Sequence, residues 1–316
     1  MIRLVALAIV LAAVWLSGSA YLMNLAVVTA LFTLPALGLS LLMGYTGQIS
    51  LGHAALVGLG AYGTAILVKQ FGWSPWLTMP LAVGLVMLVA WLIGWLVFRL
   101  RGHYLAMATL AFGIIAHVGF VELRGLTGGQ DGLSGIPPLA VLGAELGTDR
   151  AILPLAWLVC VGALLLAENL VRSPAGLAMR TVAESEPVAG SIGIAPGALK
   201  RRIMALSGGY AALGGALYAH YLGYISPSPF DVGFSLKLLL MVALGGFAGI
   251  WSVLFGVAFV VLTGEALKPF GHYDVVIYGV LLVIVMVWCP RGLLAGLELG
   301  WQAVRRRLRP AAGGAA

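Results

Sequence analysis

Charged residues are scarce in this sequence, and the scarcity limits the kinds of protein it can encode. Of its 316 residues only 9% are charged, whereas 61% are hydrophobic, and the mean hydropathy is +1.05. A soluble domain carries about 25% charged residues. The composition therefore excludes a water-soluble globular protein and indicates a chain whose main solvent is lipid.

Seven long stretches contain no Asp, Glu, Lys or Arg at all: 4–68, 70–98, 102–121, 151–167, 203–230, 238–264 and 275–290. A transmembrane helix needs about 20 mostly apolar residues, so these stretches hold roughly ten helices once the longest are divided at Gly, Pro and polar clusters. Because the stretches are continuously apolar rather than alternating, they favour helices over a β-barrel. We predict an all-α, polytopic transmembrane bundle of about 8–10 helices with broken or re-entrant segments. The predicted helices are 4–22, 25–43, 53–69, 76–98, 104–121, 152–170, 203–224, 236–250, 251–267 and 273–289.

The few basic residues lie mostly on one side of this predicted bundle. With a cytoplasmic N-terminus, 13 of the 18 Lys and Arg residues fall inside, and the outside keeps Lys69, Arg124, Arg150, Lys237 and Lys268. Positive charge favours the cytoplasmic side, so both termini are predicted to be cytoplasmic. A single helix over 236–267 would place the Arg-rich tail outside. We therefore predict two short helices or a re-entrant pair there, with the turn at Leu244–Gly249.

These features divide the chain into a transmembrane domain at 1–298 and a basic cytoplasmic tail at 299–316. The net charge of +7 is explained by basic loops beside anionic lipid. Nucleic-acid binding is not expected, because the chain has no soluble basic domain.

Several energy sources and chemistries are also missing. A Walker loop, which binds the phosphates of ATP, needs Gly immediately before its Lys. The four lysines of this chain instead follow Val68, Leu199, Leu236 and Leu267, so the chain has no such loop. His53, near the start of a predicted helix, is the one ionisable group at a convincing mid-bilayer depth, so a proton relay is not expected. The two cysteines lack metal-ligand spacing, and no nucleophile–base pair is found. We therefore predict no catalytic residue, metal site or cofactor, and any uphill transport must draw energy from another subunit.

The longest predicted inside loop, 171–202, has features of a docking segment. Ser173 and Pro174 are suited to the cap and the first residue of a short amphipathic helix. Pro187 is predicted to end this helix, and a second short helix is predicted to follow it before Gly193. Apolar residues such as Ile192 in such a loop are costly unless a partner covers them. A solvated loop with helical turns remains the alternative from the residues alone.

Two Gly-rich stretches, 44–65 and 244–251, fall within the predicted membrane region. In GYTGQISLGHAALVGLGAYGTA (44–65), Gln48, Ser50 and His53 lie in polar, irregular backbone, which membranes tolerate only where protein or a water-filled cavity surrounds it. These three residues are candidates for a pathway lining, with His53 as a packing histidine the alternative. Close helix packing is the simpler role of the glycines. The candidate structural glycines are Gly44, Gly47, Gly52, Gly245, Gly246 and Gly249.

Four motifs stand in an order that is typical of one family. They are GYTGQISLGHAALVGLGAY, LTGGQDGLSGIP, SPAGLAMRTVAESEPVAGSIGI and YGVLLVIVMVWCPRGL. Over about 26–294 the chain resembles a permease subunit, of the M type, of the bacterial branched-chain amino acid ABC importers.

The resemblance implies a bacterial inner-membrane location and a set of partners. These would be a second homologous permease subunit, two cytoplasmic ATPase subunits that hold ATP and Mg²⁺, and a periplasmic substrate-binding protein. The segment containing Arg180, Glu184, Glu186, Pro187 and Gly193 would match the part that docks on an ATPase. The mechanism would be alternating access, in which substrate and nucleotide each favour one state.

Other functions stay open at the level of sequence. The same fold could import urea, short amides or another small solute, because no motif recognises a particular side chain. A stand-alone channel or secondary carrier is disfavoured by the missing intramembrane charges. An intramembrane enzyme is disfavoured by the missing catalytic groups.

Overall fold

The computed structural model describes residues 2–100, 102–141, 143–246, 249–267 and 274–288, and within these ranges the chain is predominantly helical. The helices are α1 (Ile2–Leu16), α2 (Ala20–Thr46), α3 (His53–Phe71), α4 (Pro75–Val97), α5 (His103–Glu122), α6 (Arg124–Thr127), α7 (Asp149–Arg172), α8 (Pro174–Glu184), α9 (Glu186–Ser191), α10 (Pro196–Leu222), α11 (Val232–Gly245), α12 (Ile250–Leu267) and α13 (Asp274–Trp288). The strands β1 (Leu133–Ser134), β2 (Ala140–Val141), β3 (Ala144–Glu145) and β4 (Tyr224–Ile225) have two residues each. The prediction of an all-α fold is confirmed. The predicted tail at 299–316 lies outside the described residues.

Six of the described helices are long and apolar enough to cross a membrane, namely α2, α3, α4, α5, α7 and α12, and α11 is a shorter apolar helix. The predicted transmembrane bundle is therefore confirmed. Several boundaries were wrong: α2 begins at Ala20 rather than 25, α10 begins at Pro196 rather than 203, and α11 ends at Gly245 rather than 250. In addition, α1 ends at Leu16 rather than near residue 22. Gly18 adopts a positive φ of 65°, and the Ser19 side chain accepts a hydrogen bond from the Leu22 N–H, so the chain turns and α2 begins at Ala20.

Helix α10 lies at the centre of the bundle, packed against α2, α3 and α4. Small residues make this close approach feasible. A Cβ atom at Gly60 of α3 would lie only 2.7 Å from the Ala212 carbonyl carbon, and one at Gly215 would meet the Val57 carbonyl oxygen. Gly60 and Gly215 are therefore sites of close helix packing, and the surroundings of α10 consist of backbone as well as side chains.

Hydrogen bonds connect several elements at one end of the bundle. The Asn24 amide donates to the Tyr221 hydroxyl at 2.6 Å, which donates to the Asp149 carboxylate at 2.7 Å. Strand β1 pairs antiparallel with β4 and thereby attaches the loop after α6 to the end of α10. This end is called the α6 end below, and the opposite end, where α8 and α9 lie, is called the α8 end.

Helices α11 and α12 form an antiparallel hairpin that turns near the α8 end. A Cβ atom at Gly245 would lie 2.6 Å from the Ser252 carbonyl oxygen, and the Trp251 indole donates to the Glu168 carboxylate at 2.8 Å. Gly246 has a φ of 89° where α11 ends. The predicted division of 236–267 into two short helices is confirmed, with the break between Gly245 and Ile250.

Candidate functional site

The backbone between α2 and α3 leaves the helical path for six residues. Gly47 ends α2 with a φ of 69°, and the Gln48 N–H donates to the Leu42 carbonyl at 3.1 Å, so a main-chain hydrogen bond satisfies a carbonyl of the last helical turns. The Gln48 side chain, which is half-buried, donates back to the Thr46 carbonyl at 2.9 Å. Gly44 lies in the last turns of α2. Glycine is suited to position 47 because its left-handed conformation is strained for other residues.

His53 is the first residue of α3, and each of its ring nitrogens contacts a serine hydroxyl. Its Nδ1 lies 3.0 Å from the Ser50 hydroxyl, and its Nε2 lies 2.6 Å from the Ser207 hydroxyl of α10. Ser50, His53 and Ser207 are all buried. A neutral imidazole offers one donor and one acceptor, so both ring nitrogens are satisfied while the histidine joins the broken segment to the central helix.

The broken segment lies within the bundle rather than beyond its end. The Leu51 N–H donates to the Thr109 hydroxyl at 3.0 Å, and the Ala54 N–H donates to the Ser235 hydroxyl at 3.1 Å. A Cβ atom at Gly52 would lie 3.1 Å from the Phe112 ring and would also meet the Thr109 carbonyl oxygen. His53, the first residue of α3, contacts Ser207, which lies eleven residues after the start of α10. Since a helix rises 1.5 Å per residue, α3 begins about 16 Å along α10 from its first residue.

Sequence reasoning missed Thr109, Ser207 and Ser235. Each is the one serine or threonine of its helix, and that isolation is the only signal it gives. Its partner is distant in the chain, so packing alone identifies the pair.

The 171–202 segment folds into two short helices, as predicted, but its capping differs. Ser173 precedes α8 without capping it, and its hydroxyl instead donates to the Leu170 carbonyl at 2.7 Å. Pro187 does not end the first helix. That helix ends at Glu184, Ser185 takes an extended conformation, and Pro187 lies in the first turn of α9, where proline needs no N–H partner.

The two short helices bury one apolar face and expose another. Met179, Val182 and Ala189 are buried against the bundle. In contrast, Leu177, Val188 and Ile192 are 69%, 54% and 64% exposed. We call these three residues the exposed apolar set.

Helix α8 also contacts the end of α2, where the broken segment begins. The Arg180 guanidinium lies 5.5 Å from the centre of the buried Tyr45 ring, a cation–π distance. A Cβ atom at Gly47 would lie 3.5 Å from that of Ala183. The structure thus brings Arg180 next to the stretch containing Gln48, Ser50 and His53.

An ion pair fixes α9 to the start of α10. The Lys200 ammonium, with a side chain only 4% exposed, pairs with the Glu186 carboxylate. Gly193 follows α9 with a φ of 84° and open space around it. Glycine is therefore favoured there by its backbone conformation and not by close contacts.

The remaining predicted residues lie elsewhere. Glu184 is exposed at the end of α8, and Gly249 precedes α12 beside Ser252.

Helices that break inside a membrane bundle are typical of transporters, and comparison with known proteins agrees. Residues 21–286 match the family described as the permease component of the branched-chain amino acid transport system. The chain belongs to this family, and a permease component is a transport subunit of a membrane.

Two relatives have the same description, high-affinity branched-chain amino acid transport system permease protein LivM. The protein from Salmonella typhimurium is 32% identical over 295 residues, covering 86% of this chain and 69% of its own length. The protein from Escherichia coli is 31% identical over 294 residues, with the same two coverages. No solved structure matches the chain significantly.

Proposed function

We propose that this chain is a permease subunit of an ATP-driven importer for the branched-chain amino acids leucine, isoleucine and valine, and that α8 and α9 couple it to an ATPase. The observation that carries the proposal is the exposed apolar set on a segment whose opposite face is packed onto the bundle. Exposed apolar surface in water is costly unless a partner covers it. The names of the two relatives support the substrate class.

The proposed assembly has this chain as half of the translocation pathway in a bacterial inner membrane. The other half is a second, homologous permease subunit. Two cytoplasmic ATPase subunits, which hold ATP and Mg²⁺, bind at the α8 end, and a periplasmic binding protein delivers substrate at the α6 end. Both termini are then cytoplasmic.

The contacts of α8 suggest how motion reaches the pathway. An ATPase that displaces α8 acts on Tyr45 and Gly47, and therefore on the segment containing Gln48, Ser50 and His53. Through Ser207 the same displacement reaches the central helix. Packed elements with two alternative arrangements transmit such shifts, and we propose that this segment forms part of the pathway gate.

The test is reconstitution of the complete transporter with Val188→Asp and Ile192→Asp together. An unpaired charge that an interface removes from water costs several kcal/mol, so we expect at least about tenfold less ATPase co-purification and a similar loss of ATP-dependent L-leucine uptake. The matched control is Val141→Asp, which changes an exposed apolar residue of β2 at the α6 end.

Two results would contradict the proposal. Normal ATPase recruitment by the double variant would exclude α9 from the interface. ATP-dependent uptake of urea by the unaltered complex, without uptake of leucine, isoleucine or valine, would contradict the substrate class.

A further inference from the structure

The exposed face of α4 has the features of a surface in contact with lipid. Trp76 lies in its first turn and Trp95 in its last turn, and both side chains are exposed. The nineteen residues that separate them extend about 29 Å along a helix, close to the thickness of the hydrocarbon core of a bilayer. The exposed residues between them include Leu77, Leu81, Leu85, Leu88 and Leu92. Tryptophan is enriched at both membrane interfaces, so Trp95 marks the interface at the α8 end.

Two arginines contact tryptophan rings of this face at the α8 end. The Arg99 guanidinium carbon lies 4.3 Å from the centre of the Trp95 ring. The Arg201 guanidinium carbon lies 5.8 Å from the centre of the Trp91 ring, and this arginine belongs to α10, which packs against α4. Trp91 and Trp95 are adjacent turns of one helix face. We call these four residues the α4–α10 junction.

Neither arginine of the junction has an anionic partner among the residues that the structure describes. The ion pairs found there involve Arg172 and Lys200 instead. Arg201 is half-buried, and its Nε is buried without a hydrogen-bond partner in the described part of the chain. A charge that is partly removed from water is costly unless a counter-charge lies nearby. The outer N–H groups of this guanidinium therefore favour an anion from outside the chain.

The surroundings of the two arginines indicate which anion fits. A guanidinium group binds phosphate oxygens through two parallel hydrogen bonds. The tryptophans place both guanidinium groups at the membrane interface, where the phosphates of a lipid leaflet lie. Leu92 and Leu96 are exposed beside them, at 50% and 63%, and offer an apolar surface for acyl chains. A phospholipid satisfies both features, whereas free phosphate satisfies the charges alone.

We propose that the α4–α10 junction is a binding site for an anionic phospholipid. Arg99 and Arg201 bind the phosphate of its headgroup, and its acyl chains lie along the exposed leucines of α4. Basic sites between membrane helices bind anionic headgroups in this way. A zwitterionic lipid binds less well, because its own ammonium offsets the phosphate charge. The proposal does not depend on which solute the protein transports.

The lipid would connect two helices near the segment formed by α8 and α9. Arg201 directly follows Lys200, whose ammonium pairs with Glu186 of α9. A headgroup bound to Arg99 and Arg201 therefore joins the end of α4 to the same turn of α10 that holds α9. Since a ligand of the folded state stabilises it, the lipid should stabilise this end of the bundle.

The test is native mass spectrometry of the purified full chain, titrated in detergent with dioleoyl phosphatidylglycerol or dioleoyl phosphatidylethanolamine. We expect the unaltered chain to bind phosphatidylglycerol about tenfold more tightly, since each basic group near the headgroup contributes to binding. The double variant Arg99→Gln with Arg201→Gln should bind phosphatidylglycerol about tenfold or more less tightly and lose the preference. Arg201→Lys keeps the charge and should keep the preference at reduced affinity.

The matched control is Arg202→Gln. Arg202 is the next residue of α10 and is exposed, so the change removes the same charge from the same end of the bundle. This variant should keep the preference for phosphatidylglycerol. A second measurement is thermal unfolding, in which phosphatidylglycerol should raise the melting temperature of the unaltered chain and of Arg202→Gln but not that of the double variant.

Three results would overturn the proposal. Equal affinity of the unaltered chain for the two lipids would exclude a site for anionic headgroups. Equal losses in Arg202→Gln and in the double variant would reduce the effect to the general positive charge of this end. Displacement of phosphatidylglycerol by tens of millimolar inorganic phosphate, beyond the effect of sodium chloride at equal ionic strength, would identify a site for free phosphate.

Discussion

At the scale of the residue, His53 illustrates what a single sequence conveys. Its position in a charge-free, Gly-rich stretch identified it as unusual, and two roles were open, a pathway lining or a packing histidine. The structure pairs both ring nitrogens with buried hydroxyls. One of these, Ser207, is 154 residues away in the chain, and no local pattern relates the two.

Ser207→Ala should therefore destabilise the protein. The change removes the hydroxyl beside Nε2 of a fully buried imidazole, and an unsatisfied buried polar group costs about 1–3 kcal/mol. Thermal unfolding of the purified complex measures the loss. The control is Ser17→Ala, whose exposed hydroxyl donates to the Val14 carbonyl and accepts from the Ser19 N–H in the turn after α1. Equal melting temperatures for the two variants would contradict a stabilising role for the hydrogen bond between Ser207 and His53.

At the scale of the element, the segment formed by α8 and α9 combines predicted and unpredicted features. The sequence indicated two short amphipathic helices, and they are present. It placed the break at Pro187, whereas Ser185 interrupts the helices and Pro187 begins the second one. It gave no sign that Glu186 pairs with Lys200, because two charges 14 residues apart meet only when α9 folds back on α10.

Glu186→Gln should weaken the connection between α9 and the central helix. The Lys200 ammonium loses its charged partner while remaining buried, at a cost of about 1–3 kcal/mol, and motion of α9 then passes less fully to α10. We expect a lower ratio of leucine taken up to ATP hydrolysed in reconstituted vesicles. Glu145→Gln, on exposed β3 at the α6 end, is the matched control. An unchanged ratio for Glu186→Gln would exclude the ion pair from coupling.

At the scale of the whole molecule, the distribution of basic residues predicts the orientation. Among the described residues, Arg99, Arg172, Arg180, Lys200, Arg201 and Arg202 lie toward the α8 end. Positive charge favours the cytoplasmic face, so this end is expected inside the cell, where an ATPase can reach it.

Cysteine labelling tests this orientation in a background with Cys160→Ala and Cys289→Ala. An impermeant maleimide should label Glu145→Cys in intact spheroplasts, because β3 lies at the α6 end, which this orientation places outside the cell. Ser191→Cys, on exposed α9, should react only after the membrane is permeabilised. The reverse pattern would invert the topology and place the proposed ATPase contact on the wrong side.

The sequence by itself determined that this protein is a bundle of membrane helices, where helices break, and which segment forms two short helices. These properties depend on local composition, because long apolar stretches are stable in lipid and glycine tolerates the backbone conformations at which a helix breaks. The tertiary structure decided how the breaks are used. It brought Ser207 to His53 and Arg180 to Tyr45, because each contact depends on how helices distant in the chain pack together.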